Sequence, residues 1–218
     1  MSVPLPVRSR EKHRNMVPVW RQTRPLRHIG AGVAPWPFRP QSAPSIPFAM
    51  IDVRPATPDD LPEILAVQLE SWRRTYPGLL PDAYLGEPVA SDLSRTWTPD
   101  RLSRALVLVA LREGRVAGFV ATLPDDPDGP YVDNLHVRLA DEGQGVGRAL
   151  LAETARRLMA LGHDCLHLTV AEGNARATAF YARSGGHLSD PVPDDVYGQP
   201  LMALPVRWTD LSALAALA

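Results

Sequence analysis

An α/β fold with a mixed sheet is predicted by three observations. Strand-like apolar runs at residues 51–54, 105–111, 116–121, 135–137, 165–170 and 201–206 are interleaved with helical patterns at about 58–74, 146–161 and 174–184. Two of these runs, 105–111 and 116–121, are separated by four residues that include Gly114, the spacing of an antiparallel hairpin. Finally, Leu135, His136 and Val137 lead through an acidic turn into Gly143-Gln144-Gly145-Val146-Gly147 and then straight into a helix.

Each element has a local cause. Ile51-Asp52-Val53-Arg54 alternates apolar and polar, as a half-buried strand does. Thr57 is suited to cap a helix, with Pro58 at its first position and Asp59 and Asp60 in its first turn. Leu61, Ile64, Leu65, Gln68 and Trp72 then share one helical face, carrying the helix to about Arg74. Two prolines and a glycine interrupt residues 75–85, which reads as a loop or short helix covering a site, or as packing onto the sheet. Residues 93–104 read as a short helix or an ordered loop, and 124–130 as a loop. The helix after the glycines ends at Gly162, with Glu153 and Arg157 paired one turn apart. Cys165 opens a buried strand as a small apolar thiol. Asn174 caps a short helix that Gly185 and Gly186 stop. Residues 201–206 form the last strand, and 211–218 are mildly apolar without a clear pattern.

Composition divides the chain. Of 23 basic and 24 acidic residues, eight and one respectively fall in residues 1–49, which leaves 15 and 23 for the rest, near +7 against near −8. Nine of the 23 prolines lie in that first segment, so it reads as a solvated, disordered Pro/Arg-rich extension, with residues 50–218 as the folded domain. Its basic residues precede no apolar run of secretory length. A targeting role and a nucleic-acid arm are weaker alternatives, and Met50, directly before the first strand, leaves initiation there open. A single cysteine excludes an internal disulfide and any multi-cysteine metal site. No window of about 18 apolar residues exists, so no membrane partner is expected.

Chemistry concentrates at the glycines. Three missing Cβ atoms at a helix N-terminus let several N–H groups converge on one anion, aided by the helix dipole. A dinucleotide fingerprint fails, because Gly145 and Gly147 are followed by Leu150 and no acid stands about 20 residues on. A P-loop fails for want of Gly-Lys-Ser/Thr.

Glu142-Gly143-Gln144-Gly145-Val146-Gly147, followed in order by Asn174 and by Phe180-Tyr181-Ala182-Arg183-Ser184-Gly185, resembles the two signatures of the GNAT superfamily of acyl-CoA-dependent N-acyltransferases. The resemblance spans residues 51 to about 208 and implies a mixed, mostly antiparallel central sheet flanked by helices. It implies acetyl-CoA as co-substrate without a metal, a small-molecule or peptide amine as acceptor, and a cytoplasmic enzyme, with a homodimer left open. By the family's pattern, the backbone of Leu135, His136 and Val137 meets the pantetheine arm. The N–H groups of Gly143, Gln144, Gly145, Val146, Gly147 and Arg148 hold the pyrophosphate. Asn174 lies near the pantetheine or acts as a cap alone, and Arg183 or Arg176 meets the 3′-phosphate or is simply a solvated charge. Tyr181 is the candidate general acid, since a phenol near pKa 10 can protonate a leaving thiolate; its bland alternative is an aromatic core residue. Some relatives carry a glutamate where this chain has Thr169, so Asp133 is the candidate base or a structural acceptor, with Glu172 and His136 weaker.

Two departures stand out. Glu142 replaces the usual arginine or glutamine and puts a carboxylate near a phosphate site unless it points outward. Gly186 replaces a bulky residue, which bears on packing. The acceptor would be set by residues 72–85 and a late loop at 189–199, whose Asp190, Asp194 and Asp195 suit a cationic amine or merely keep the loop soluble. A domain that binds acyl-CoA as a sensor without turnover, and nucleic-acid binding through the tail, are the alternatives.

Overall fold

The computed structural model describes residues 50–196 and 198–217, so the expectations placed on residues 1–49 lie outside the described residues. Eight strands, β1 (Asp52–Pro55), β2 (Leu106–Arg112), β3 (Arg115–Leu123), β4 (Tyr131–Val137), β5 (Leu166–Ala171), β6 (His187–Leu188), β7 (Val192–Val196) and β8 (Gln199–Trp208), form one sheet. Its order is β1-β2-β3-β4-β5-β8-β6, with β7 also on β8. Six helices accompany it: α1 (Leu61–Thr75), α2 (Glu87–Thr96), α3 (Pro99–Arg104), α4 (Val146–Ala160), α5 (Ala175–Arg183) and α6 (Leu211–Ala215). Every described strand pairing is antiparallel except β4 with β5. This is the mixed, mostly antiparallel sheet flanked by helices that the sequence implies.

Two-sided burial explains the continuous apolar runs. In β2, Val107 and Val109 join Ile64 and Val67 of α1, while Leu108 and Ala110 join Leu150, Leu151 and Leu158 of α4. Burying such a side chain stabilises by about 1.5–3 kcal/mol. The β2–β3 turn uses Glu113 and Gly114 at φ of 52° and 76°, the paired left-handed residues of a tight hairpin. Thr57 caps a single 3-10 turn, Pro58–Asp60, that runs on into α1. There Asp60 accepts from the Thr57 N–H at 2.7 Å and from both Arg54 terminal nitrogens at 2.7 and 2.8 Å. Chiefly the Arg54 bonds, with help from Thr57, pull the Asp60 carboxyl down to about 2.

Several elements differ from the sequence expectation. Residues 76–85 form a loop that, of its two expected roles, packs, though on helices rather than on the sheet: Leu80 and Leu85 are buried against Trp72 of α1 and Val89 and Leu93 of α2, while Pro77, Gly78 and residues 81–83 are exposed. Two helices, α2 and α3, stand where one short helix or loop was expected, because Pro88 and Pro99 occupy first-turn positions that tolerate the missing N–H. The late loop is strand β7, whose Pro193, Asp194 and Asp195 have low strand propensity but pair along β8. The apolar end supplies α6, capped by Asp210, with Leu211 and Leu214 buried in the α4 core. Cys165 is half-buried just before β5, its Sγ accepting from Arg207 Nη2 at 3.5 Å, rather than a core thiol.

Gly186 has a packing cause. A Cβ there would lie 2.6 Å from Val206 Cγ1, 2.9 Å from the Tyr181 carbonyl and 3.0 Å from Trp208 Cζ2. Trp208 fills that volume instead, and its indole N–H donates to the Ser184 carbonyl at 2.9 Å.

Candidate active site

The parallel pair β4–β5 is joined at one register position, Tyr131 with His167. Beyond it the strands part, so the β4 edge at Leu135, His136 and Val137 faces β5 without ladder partners there. A bulge sharpens the divergence: Asn134 opposes Ala121 and Val132 opposes Thr122, leaving Asp133 as the extra residue.

The glycine loop opens at the same end. Gly143 and Gly145 take φ of 74° and 88°, conformations that favour glycine, and Gly145 is the residue before α4. Among the described residues no acceptor meets the N–H groups of residues 143–148, the first bond of the helix being Ala149 N–H to the Gly145 carbonyl at 2.9 Å. Six unbonded donors in a row at a helix N-terminus have the chemistry of an anion nest. The Gln144 side chain donates to the Ala140 carbonyl at 2.8 Å. At Gly147 a Cβ would stand 3.1 Å from Phe180 of α5, so the absent side chain is what lets the two helices approach.

Residues just before the glycines are clamped. Arg138 Nε donates to the Val116 carbonyl at 2.7 Å, and the Leu139 N–H donates to Glu70 at 2.8 Å. Asp141, with a fully buried side chain, accepts from Arg112 and Arg115, each at 2.6 Å, across the β2–β3 turn. Glu142 does not point outward. Its carboxylate, 13% exposed, pairs with Arg74 at the end of α1 and with Arg176 in the first turn of α5. Two guanidinium groups therefore border the nest, held by a carboxylate of the chain itself. Arg183 is exposed on the last turn of α5.

Tyr181 lies on α5, 7% exposed, with edge-to-face contacts to Phe180 and Trp208. Burial, with Tyr76 and Tyr131 nearby, pushes its pKa well above the ordinary tyrosine value, so it holds its proton at neutral pH. No hydrogen bond engages its hydroxyl among the described residues. Asn174 caps α5, its Oδ1 accepting from the Ala177 N–H at 3.1 Å, which leaves its amide NH₂ for a ligand.

Asp133 belongs to a closed polar ring. Arg101 of α3 and the Asn134 side-chain amide both donate to it. Asn134 accepts from Gln68 at 2.7 Å, Gln68 accepts from the Trp97 indole N–H, and the Arg101 guanidinium sits 4.9 Å over the Trp97 ring. His136 bonds Ser71 Oγ at 3.0 Å beside Phe119, and burial pulls it down to about 4, so it is neutral at pH 7. Thr169 Oγ1 lies 2.9 Å from the Tyr131 hydroxyl and donates to Asp194 of β7 at 3.2 Å. The ring members Gln68, Trp97 and Arg101, and the loop anchors Arg74 and Asp141, carry no sequence signature; a basic residue ending a helix, as Arg74 does, is ordinary dipole chemistry.

Residues 66–186, more than half of the chain, match the model of the acetyltransferase (GNAT) family. The chain is 29% identical over 172 residues to the uncharacterized N-acetyltransferase YuaI of Bacillus subtilis strain 168, spanning 77% of this chain and 98% of that one. In fold it is similar to PaiA N-acetyltransferase from Thermoplasma acidophilum, solved with coenzyme A (TM-score 0.62, 19% identity, 73% and 99% of the two chains). YncA from Salmonella typhimurium, solved with acetyl-CoA, is also similar (TM-score 0.53, 18% identity, 73% and 94%). Among the described residues no helix is long and apolar enough to cross a membrane, and no cluster of metal-ligating side chains occurs. With its parted parallel strands, its glycine nest and its match to the family model, the chain belongs to the acetyltransferase (GNAT) family and is an acyl-CoA-dependent N-acetyltransferase.

Proposed function

We propose that the chain transfers an acetyl group from acetyl-CoA to an amine by direct attack, and the unbonded N–H groups of residues 143–148 beside the parted strands are the observation that carries this. These donors suit a pyrophosphate, and the free edge at Leu135, His136 and Val137 suits an extended amide-bearing arm. Asn174 contributes its NH₂ to that arm. The thioester supplies an activated acyl carbon; the amine nitrogen bonds to it as the C–S bond breaks.

Tyr181 donates its phenolic proton to the departing thiolate. Its position in the apolar wall keeps it protonated, and because a thiolate is a weaker base than a phenolate, the hydroxyl first stabilises the developing thiolate as a hydrogen-bond donor and passes its proton on as another reaches its oxygen. The proton lost by the amine is relayed through water back to the Tyr181 oxygen, so the phenol is restored and the products are the amide and free thiol. Reaching the neutral form at pH 7 costs about 1.4 kcal/mol for an α-amine of pKa about 8 and about 4.6 kcal/mol for an alkylamine near 10.4, so water suffices for the first and turnover of the second should rise with pH. Asp133, already bonded by Arg101 and Asn134, fits better as the residue that fixes the bulged β4 than as the base.

Tyr181→Phe tests the assignment. The variant should lose about 10²-fold or more in kcat, read as thiol release, while acetyl-CoA binding by calorimetry stays within about twofold. Unchanged kcat at saturating acceptor removes Tyr181 from the mechanism. Tight acetyl-CoA binding with no thiol release across a broad amine panel would favour a sensor.

A further inference from the structure

The three acids of residues 190–195 part company in the fold. Asp190 is exposed. Asp195 serves its own turn, Oδ1 accepting from the Gly198 N–H at 2.8 Å. Asp194 points elsewhere. Along β8, Thr169 of β5 opposes Pro205 and Asp194 of β7 opposes Leu201. In a flat sheet these residues would lie four positions apart along β8, about 13 Å, and on opposite edges of it. The 3.2 Å bond from Thr169 Oγ1 to Asp194 Oδ2 therefore requires the β7–β8 hairpin to curl over the sheet. Val196 and Leu201 anchor the curl by packing on the Trp72–Leu80–Leu85 cluster.

The curl brings a carboxylate to where β4 and β5 part. Tyr131, the β4 residue at the last paired position, meets Thr169, which holds Asp194. Among the half-buried carboxylates, Asp133, Glu142 and Glu153 face arginines, as do the buried Asp60 and Asp141, and Asp126 faces His167 at 3.8 Å. Asp194 has no cationic partner among the described residues; its other oxygen accepts only the Asp195 N–H, at 2.8 Å. Two hydrogen bonds leave acceptor capacity on a carboxylate.

Resting on the acetyl-transfer assignment above, we infer that Asp194 is a specificity-determining residue that binds a second cationic group on the acceptor, so that the natural acceptor is an amine carrying another positive charge. A carboxylate at the attacking nitrogen itself would stabilise the unreactive ammonium, so its useful partner is a charge elsewhere on the acceptor.

The test compares 1,4-diaminobutane with 1-aminobutane as acceptors for the full chain, by thiol release from acetyl-CoA. The wild type should prefer the diamine by about 10-fold or more in kcat/KM. Asp194→Asn should lose about 10- to 100-fold with the diamine and keep its 1-aminobutane activity and its KM for acetyl-CoA. Thr169→Val, which removes the hydroxyl that orients the carboxylate, should lose part of the same preference, while Asp195→Asn, an equal change in charge, should lose none. Equal losses with both amines in Asp194→Asn, an equal effect of Asp195→Asn, or a wild type indifferent to the second charge would overturn the inference while leaving acetyl transfer intact. No thiol release with any amine of a broad panel would instead overturn the assignment on which it rests.

Discussion

Asp141→Ala probes how the glycine loop is held. The side chain of Asp141 is fully buried, whereas those of Arg112 and Arg115 are 12% and 41% exposed. Removing the carboxylate strands Arg112 in a poorly solvated position, where losing one partner of a buried pair costs about 3–5 kcal/mol. Arg115 can turn into water and adds less than about 1 kcal/mol. Taking about 3 kcal/mol for a body of about 170 residues, residues 49–218, and an unfolding entropy of about 2.1 cal/mol/K per residue, Tm should fall by about 8 °C. Thermal unfolding by circular dichroism should rank the losses Asp141→Ala, then Arg112→Ala, then Arg115→Ala, the last within about 3 °C. Because Asp141 lies two residues before Gly143, KM for acetyl-CoA should rise in parallel. A shift below about 2 °C for Asp141→Ala, or equal effects of the two arginine variants, would refute burial as the source of the effect.

Other substitutions probe the surrounding groups. Glu142→Gln should release Arg74 and Arg176 toward the nest and tighten acetyl-CoA binding about 3- to 10-fold at low salt, fading at high salt; weaker binding by calorimetry would mean that the carboxylate places the arginines usefully. His136 titrates at about 4 in the fold against about 6.5 unfolded, so its neutral form is the one the fold favours. Its contribution to stability is complete above about pH 6.5 and is lost as pH falls toward 4, at about 1.4 kcal/mol per unit. Urea midpoints of His136→Gln should therefore decline less steeply than wild type over that range, and identical slopes would contradict its burial. Gly186→Ala should cost about 1–3 kcal/mol by pushing on Val206 and the Tyr181 carbonyl, and an unchanged urea midpoint would show that α5 shifts freely.

The parts of the site that use local geometry were legible in the sequence. Glycines that need positive φ, an asparagine with a helix behind it and an apolar run between turns all act over a few residues. What escaped depends on long-range placement. Arg74 meets Glu142 across 68 positions, and Gln68 meets Asn134 across 66, and no periodicity announces either. Gln68 was assigned to the buried face of its helix, yet its amide partners emerge from the fold alone. β7 failed for a different reason: Pro193 and two aspartates oppose strand formation locally, and pairing along β8 with packing of Val196 overrides them.

One register position joins β1–β4 to β5–β8 within the sheet. Across that seam the backbone ladder is nearly absent, and α4 with its apolar contacts bridges the two halves. Hydrogen exchange at those β4 and β5 amides beyond Tyr131 that point into the seam, rather than toward β3 or β8, should accordingly be among the fastest in the sheet. A ligand arm lying in the seam would replace the missing ladder and staple the halves together. Substrate occupancy would then act as a structural member of the sheet, and the enzyme would be most resistant to unfolding while loaded.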